Sequence, residues 1–381
     1  MISRTLFTAE HEDFRKTVQR FFAEHVTPNR EKWEAQQHVD RALWNRAGEL
    51  GLLCMNLPEE FGGVGAMDRL FNVVMIEEQA RAGDSGFGAT VHSDIVANYI
   101  NNFGTPEQKS RWLPKMARGE AVGAIAMTEP GTGSDLQAIK TTAVTDGDHY
   151  VINGSKIFIT NGYLSDLVIV VARTGTSGEG SKDLSLIVVE SATAGLTKGK
   201  PLKKVGMHSQ DTCELFFENV RVPKANLLGA NEGMGFIMLM QELAWERMII
   251  AIQSITGAES ALQTTLEYTR NRKVFGKPVA AYQNTRFRLA ELKAEIVIGR
   301  VYVDRCVELV TKKKLGVDDA AIAKMWTSDL LCKVVDQCLQ FHGGYGYMLE
   351  YPIARAWADT RAARIFGGTN EIMKELVART M

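Results

Sequence analysis

The sequence predicts an α+β protein, mostly α. It divides into an N-terminal helical domain at 1–120, a middle antiparallel β-barrel or sandwich domain at 121–228, and a C-terminal four-helix bundle at 229–381. Three observations predict this. Apolar residues recur at helical spacing as far as Gly119; short runs rich in Val, Ile, Thr and Phe then follow, broken by Asn-Gly and Asp-Gly; and the helical period returns from about Gly233. The size agrees, because 381 residues with 45% hydrophobic content bury a large core and exceed one compact layer arrangement.

In the first stretch Phe14, Val18, Phe21, Phe22 and Val26 fall on one helical face. Further helices are expected from about Met67 to Arg81 and over 93–103. Another opens at Thr105-Pro106-Glu107-Gln108, where an N-cap, a first-turn proline and a capping-box glutamine coincide. In the second stretch strands are expected at 150–152, 156–160, 167–173, 184–189 and 213–217, with turns at Asp146-Gly147, Asn153-Gly154 and Asn161-Gly162. In the third, four helices are expected at 236–272, 285–309, 318–341 and 370–379, enough for a bundle.

Composition excludes several classes of function. A formal net charge of −1 with no strongly basic segment argues against nucleic-acid binding. Cys54, Cys213, Cys306, Cys332 and Cys338 are dispersed, without a C-x-x-C pair or histidines at ligand spacing, so they read as reduced thiols with no metal site. No apolar run reaches transmembrane length, and Glu10, Glu12 and Asp13 near the start fit neither a secretory nor a transit segment. Neither G-x-G-x-x-G nor a P-loop occurs, so any dinucleotide is held by other means.

The residues that point to chemistry begin with Ile125-Ala126-Met127-Thr128-Glu129-Pro130-Gly131-Thr132-Gly133-Ser134-Asp135, a turn-rich loop with exposed glycine amides and several hydroxyls. Phe158-Ile159-Thr160-Asn161-Gly162, Arg272-Lys273-Val274-Phe275-Gly276-Lys277, Gln340-Phe341-His342-Gly343-Gly344 and Gly367-Gly368-Thr369-Asn370-Glu371 follow in order. Together these strings resemble the acyl-CoA dehydrogenase family over essentially the whole chain, most closely its long-chain and isovaleryl types. The resemblance implies an FAD flavoenzyme that removes the α proton of an acyl-CoA thioester and the β hydrogen as hydride, giving a trans-2-enoyl-CoA and passing electrons to electron-transferring flavoprotein. It further implies that Ile125, Ala126, Met127, Thr128, Gly133, Ser134, Phe158, Ile159 and Thr160 line the flavin, with the Thr160 hydroxyl near its N5. Arg272, Phe275, Gln283, Gln340, Gly343 and Gly344 would reach the cofactor's pyrophosphate and adenosine half from a neighbouring subunit of a homotetramer built as a dimer of dimers. Thr369 and Glu371 would touch the cofactor, and Ser134, Arg247, Gly367 and Gly368 the substrate.

One departure from the family pattern bears on the mechanism. Many members carry the base just before the Gly-Thr that opens the last helix, and here that position is Gly367. A branch of the family places the base within a Glu-Arg pair on a helix of the C-terminal domain instead, and Glu246-Arg247 resembles it. Glu246 is therefore expected to be the base. Its competitors are Glu242, one turn earlier, and Glu371, which the positive end of a helix would keep ionised and weakly basic. Arg247 contacts CoA or orients Glu246, and the sequence leaves both open. The backbone N–H of Gly367 remains available to the thioester oxygen. The histidines are expected to be packed or exposed rather than catalytic. Met234, Met238, Met240 and Met248 are read as bundle core, with an acyl channel as the alternative.

Two other readings use the same residues: an acyl-CoA oxidase or flavin monooxygenase, and a non-catalytic acyl-CoA-binding homologue. The expected setting is the bacterial cytoplasm, or the mitochondrial matrix if a transit peptide has been removed.

Overall fold

The computed structural model describes residues 3–65 and 68–381. Six α-helices come first: α1 (Ala9–Phe21), α2 (Arg30–Gln36), α3 (Arg41–Glu49), α4 (Leu70–Arg81), α5 (Ala97–Phe103) and α6 (Pro106–Ala117). Val18, Phe21, Phe22 and Val26 are buried as their spacing predicts, while Phe14 packs at the margin. Two adjacent phenylalanines are both buried because the chain widens after Phe21 into a π-type turn, Phe22–Val26. The helix expected from about Met67 begins at Leu70, and Met67 itself lies outside the described residues. A second π-type segment, Val91–Val96, leads into α5.

The α6 cap forms as expected. Thr105 Oγ1 accepts from the Gln108 amide at 3.3 Å, and Gln108 Oε1 accepts from the Thr105 amide at 2.9 Å. The Gln108 Nε2 group then donates to the carbonyls of Ala225 and Leu227, both at 2.7 Å, fastening α6 to the chain that leaves the sheet.

The middle of the chain is a curled seven-stranded sheet of β1 (Gly123–Ala126), β2 (Thr142–Asp146), β3 (His149–Thr160), β4 (Leu167–Arg173), β5 (Leu184–Glu190), β6 (Leu196–Lys198) and β7 (Thr212–Pro223). Its order is β1-β4-β2-β3-β7-β6, with β5 also paired to β4. The expectation of an antiparallel sheet is corrected here, because β1 runs parallel to β4 and β2 touches β4 in parallel. Hairpin signals report only sequence neighbours, whereas β1 and β4 meet after the chain has made the whole β2–β3 excursion. The turn expected at Asn153-Gly154 is corrected too. Those residues form a bulge inside β3, where Gly154, at φ +150°, takes a Cβ-less position against Thr141.

The chain ends in α7 (Gly235–Asn271), α8 (Gln283–Thr311), α9 (Val317–His342), α10 (Pro352–Thr360) and α11 (Asn370–Ala378). The first three pack together around Met248, Ile252, Ile255, Leu292, Ile296, Val303, Leu331 and Val334, and α10 and α11 lie against α9. Leu70, Val73 and Ile76 of α4 belong to the same core, so the first and last helical stretches share a hydrophobic interior. Among the described residues no helix is long and apolar enough to cross a membrane, and no group of His, Cys, Asp and Glu is placed to hold a metal ion.

A buried carboxylate binds these stretches electrostatically. Glu77 on α4 is fully buried and accepts from Arg4 at 2.7 Å, Arg15 at 2.9 Å and Arg300 of α8 at 3.1 Å. Burial would raise its pKa, but the hydrogen bond from Arg4 and the charges of Arg300, Arg4 and Arg81 outweigh burial and hold it at about 2. Removing one partner of such a group leaves uncompensated buried charge. Glu77→Gln is therefore expected to destabilise the fold by about 3–5 kcal/mol in urea unfolding at neutral pH. Because folding lowers this pKa from an ordinary 4.5, the wild-type advantage is complete above pH 4.5 and is lost as pH falls towards about 2.

Candidate active site

The loop after β1 is fixed from beneath by a buried ion pair. Lys156 of β3 donates to the Met127 carbonyl at 3.0 Å and to Glu129 Oε1 at 2.9 Å, and Glu129 also accepts from the amides of Lys140 and Thr141. The Ile157 amide bonds to the Thr128 carbonyl at 2.9 Å, so this loop and the end of β3 form one surface. Ile125 and Ala126 belong to β1 itself, Met127 and Thr128 are half-buried, and Gly133 and Ser134 are exposed.

At the end of β3 the pairing with β7 slips between Lys156 and Ile159, and Phe158 takes φ +61° with 64% of its surface exposed. A large aromatic in the left-handed region, turned outward, is a strained arrangement that marks a site and not a core. Ile159 is buried behind it, and Thr160 is half-buried. A Cβ built at Gly131 or Gly133 would meet nothing within 4 Å, so the loop's backbone is open to a planar ligand lying against it.

Glu246 sits in the first third of α7, with 7% of its surface exposed. The Tyr99 hydroxyl on α5 donates to its Oε1 at 2.9 Å. Burial raises the Glu246 pKa to about 7, the Tyr99 hydrogen bond opposes that rise, Glu242 adds to it and Arg247 opposes it. This places a proton acceptor at the strength that neutral-pH chemistry needs. Its sequence competitor Glu242 is only half-buried and accepts from Asn102 at 2.7 Å. Arg247 is buried, with its Nε unpartnered, and burial lowers its pKa.

Gly367 faces this helix. At φ +65° it lies in the left-handed region, and a Cβ there would collide with Cδ1 of Ile250, one turn beyond Glu246. The C-terminal loop therefore meets α7 at Ile250, one turn from the Glu246 carboxylate. Lys324 of α9, fully buried, donates to the Gly368 carbonyl at 2.7 Å and to Asn370 Oδ1 at 2.9 Å. Asn370 in turn donates to Ser328 Oγ and Asp329 Oδ1, each at 3.0 Å. Thr369 caps α11, accepting from Ile372 at 3.3 Å. Glu371 is exposed, and a backbone hydrogen bond at its own amide holds its carboxyl below the usual range, so it remains a weak base.

Arg272 ends α7 and lies over the Tyr345 ring at 5.6 Å, joining the 273–278 hairpin to the Gly343-Gly344 turn. Phe275, at the hairpin tip, is 97% exposed at φ +48°. Gln283, Gln340, Gly343 and Gly344 are exposed on their respective elements. His342 is packed, stacked on Tyr268 at 4.2 Å and bonded to the Cys338 carbonyl at 2.8 Å. Of the four methionines, Met238 and Met248 are buried in different clusters, whereas Met234 and Met240 face outward, so they do not line one channel.

Sequence reasoning missed Tyr99, Lys324 and the Lys156–Glu129 pair. Lys324 stands alone in the apolar run Ala320-Ala321-Ile322-Ala323-Lys324-Met325-Trp326, which is a legible sign of a buried cation. Tyr99 meets its partner across 147 positions and leaves no local sign.

Family models match nearly the whole chain: the acyl-CoA dehydrogenase N-terminal domain at residues 8–120, the middle domain at 124–220 and the C-terminal domain at 233–381. The long-chain specific acyl-CoA dehydrogenase of Rattus norvegicus mitochondria is 50% identical over 377 residues, covering 99% of this chain and 87% of the rat protein. An acyl-CoA dehydrogenase from Geobacillus kaustophilus superposes with a TM-score of 0.97 at 44% identity, covering 99% of each chain. One from Bacillus anthracis, solved in complex with FAD, superposes with a TM-score of 0.92 at 35% identity, covering 98% of this chain and 68% of that one.

The contact between Gly367 and Ile250 makes a direct prediction. Gly367→Ala should cost about 1–3 kcal/mol in urea unfolding, from the strained φ and the overpacking. In a double-mutant cycle with Ile250→Ala the two changes should couple by about 1 kcal/mol or more, the sign being relief.

Proposed function

The chain belongs to the acyl-CoA dehydrogenase family, and from that premise we propose that it uses FAD to desaturate a fatty or branched acyl-CoA thioester between the α and β carbons, with Glu246 as base. The observation behind this reading is the pairing of a buried, proton-hungry Glu246 with a side-chain-free Gly367 set against Ile250, the residue one helical turn beyond Glu246. A side chain at the loop position would begin in the space that Cδ1 of Ile250 fills.

FAD, when bound, supplies the acceptor for the β hydride. The outward Phe158, the half-buried Thr128 and Thr160 and the open backbone at Gly131 and Gly133 fit an aromatic ring system held by Ile125, Ala126, Met127, Ser134 and Ile159 as well. Glu246 takes the α proton and neutralises on doing so, which its apolar surroundings favour. The Gly367 amide donates to the thioester oxygen as negative charge grows there, and the Lys324 bond to the Gly368 carbonyl holds that peptide segment in place. Gly368, Ser134 and Arg247 line the substrate. Arg247 is a planar, permanently charged donor with an unpartnered Nε, suited to an oxygen-rich CoA group.

Arg272, Phe275, Gln283, Gln340, Gly343 and Gly344, with Thr369 and Glu371, form the remaining cofactor contacts. The exposure of Phe275 supports a role completed by a neighbouring subunit, in a homotetramer assembled as a dimer of dimers. The C-terminal helices read as a four-helix bundle with α11 as the fourth member, in a chain of three units at 1–120, 121–228 and 229–381. Electron-transferring flavoprotein is the electron acceptor, in the bacterial cytoplasm or the mitochondrial matrix.

Anaerobic mixing of the yellow protein with saturated acyl-CoAs should bleach the flavin, with slow recovery in air; rapid recovery would make it an oxidase. Glu246→Gln should keep the colour and bind ligand but lose bleaching by about 10³-fold or more, a loss equal to removing a positioned base. Glu371→Gln should mainly weaken FAD retention. Because Glu246 must be ionised to act, kcat/KM should rise with pH through about 7, and a profile already flat above pH 5 would refute the assignment.

A further inference from the structure

We propose that the Tyr99 hydroxyl is a positioning group for Glu246, holding one carboxylate oxygen so that the other is presented to the substrate. This rests on Glu246 being the base. The geometry is a single hydrogen bond between two buried side chains on different elements, Tyr99 Oη to Glu246 Oε1 at 2.9 Å, from α5 to α7.

Tyr99 is built for that task. It is fully buried, and its ring leans on Phe103 with centroids 5.9 Å apart. Burial first, and then the negative charge of Glu246, keeps its phenol well above an ordinary pKa of 10, so it stays a donor wherever the enzyme works. With one oxygen engaged, Glu246 Oε2 is left to receive the proton. A neutral donor orients a carboxylate without abolishing its basicity, whereas a bonded guanidinium would lower its pKa strongly. Arg247 is the next residue on the helix, and adjacent helical side chains do not face one another, so its influence on Glu246 is charge at a distance.

A second rung stabilises the first. One turn away on both helices, Asn102 of α5 donates to Glu242 of α7 at 2.7 Å. Three positions forward on α5 and four back on α7 make an antiparallel pair of rungs, so the register of α5 does not depend on the Tyr99 hydroxyl alone. The groups acting on Glu246 are then Glu242 and Arg247 from α7 and Tyr99 from α5. The C-terminal loop presents Gly367 without a side chain, and Lys324 of α9 feels the charge of Arg247.

The test uses the FAD-loaded enzyme carrying Tyr99→Phe. The protonated carboxyl of Glu246 is followed by difference infrared spectroscopy against pH without substrate, its band identified by its loss in Glu246→Gln. The expected midpoint lies about one pH unit above wild type, the size that a hydrogen bond to a charged group supports. The pH profile of flavin bleaching should move alkaline by the same amount, while the Kd for acyl-CoA changes less than about twofold, within a few tenths of a pH-unit equivalent. If Tyr99→Phe does not fold, replacing Tyr99 with difluorotyrosine strengthens the donor and should move the midpoint down. An unmoved infrared midpoint overturns the inference while leaving Glu246 as base. A moved midpoint with an unmoved bleaching profile overturns Glu246 as base and, with it, any catalytic use of Tyr99.

Discussion

A carboxyl group kept in an apolar helix interface, with a phenol as its hydrogen-bond donor, is the constraint on which the arrangement depends. Left in water Glu246 would be a weak base; given a bonded arginine it would be weaker still. Burial between α5 and α7 raises its affinity for a proton to about neutral pH. That burial requires the first and last helical stretches to share a core, which Leu70, Val73 and Ile76 of α4 provide by packing with Met248 and Ile252. The facing loop also packs closely on the same helix, which Gly367 permits by having no side chain to set against Ile250.

Several other buried charges serve as fasteners. Lys156 and Glu129 lock the loop after β1 onto β3, Lys324 locks the glycine segment onto α9, and Glu77 gathers arginines from three parts of the chain. Each of these is satisfied by several hydrogen bonds, as buried ions must be. Glu246 and Arg247 differ from them. Glu246 has a neutral donor and Arg247 an unpartnered Nε, so both keep polar capacity that a ligand could use.

The helices of the fold were legible because their apolar period is strong: α7, α8 and α9 fall within a few residues of where spacing puts them. The sheet was less so. Gly154 looks like a turn residue but forms a bulge, and the parallel β1–β4 pair is set by contacts far apart in sequence. β1, β2 and β6 carry no strand signal, because three to five residues give too short a period to distinguish from loop. At the site, the sequence marks Glu246 and Gly367 as a matched departure from a family pattern, and the fold sets Gly367 against Ile250, one turn from Glu246. Tyr99 is not so marked, since only the fold brings α5 to α7, and the Lys156–Glu129 pair looks like ordinary strand and loop charges.

The most direct measurement uses a 3-thia-acyl-CoA, which has an acidic α carbon but no β hydrogen to give as hydride, so that proton removal is seen without reduction. With this ligand in heavy water, the wild-type enzyme is predicted to exchange the α hydrogens and to develop a long-wavelength charge-transfer colour, while Glu246→Gln binds the ligand and does neither. Exchange by Glu246→Gln at the wild-type rate would contradict the account and move the base to another residue.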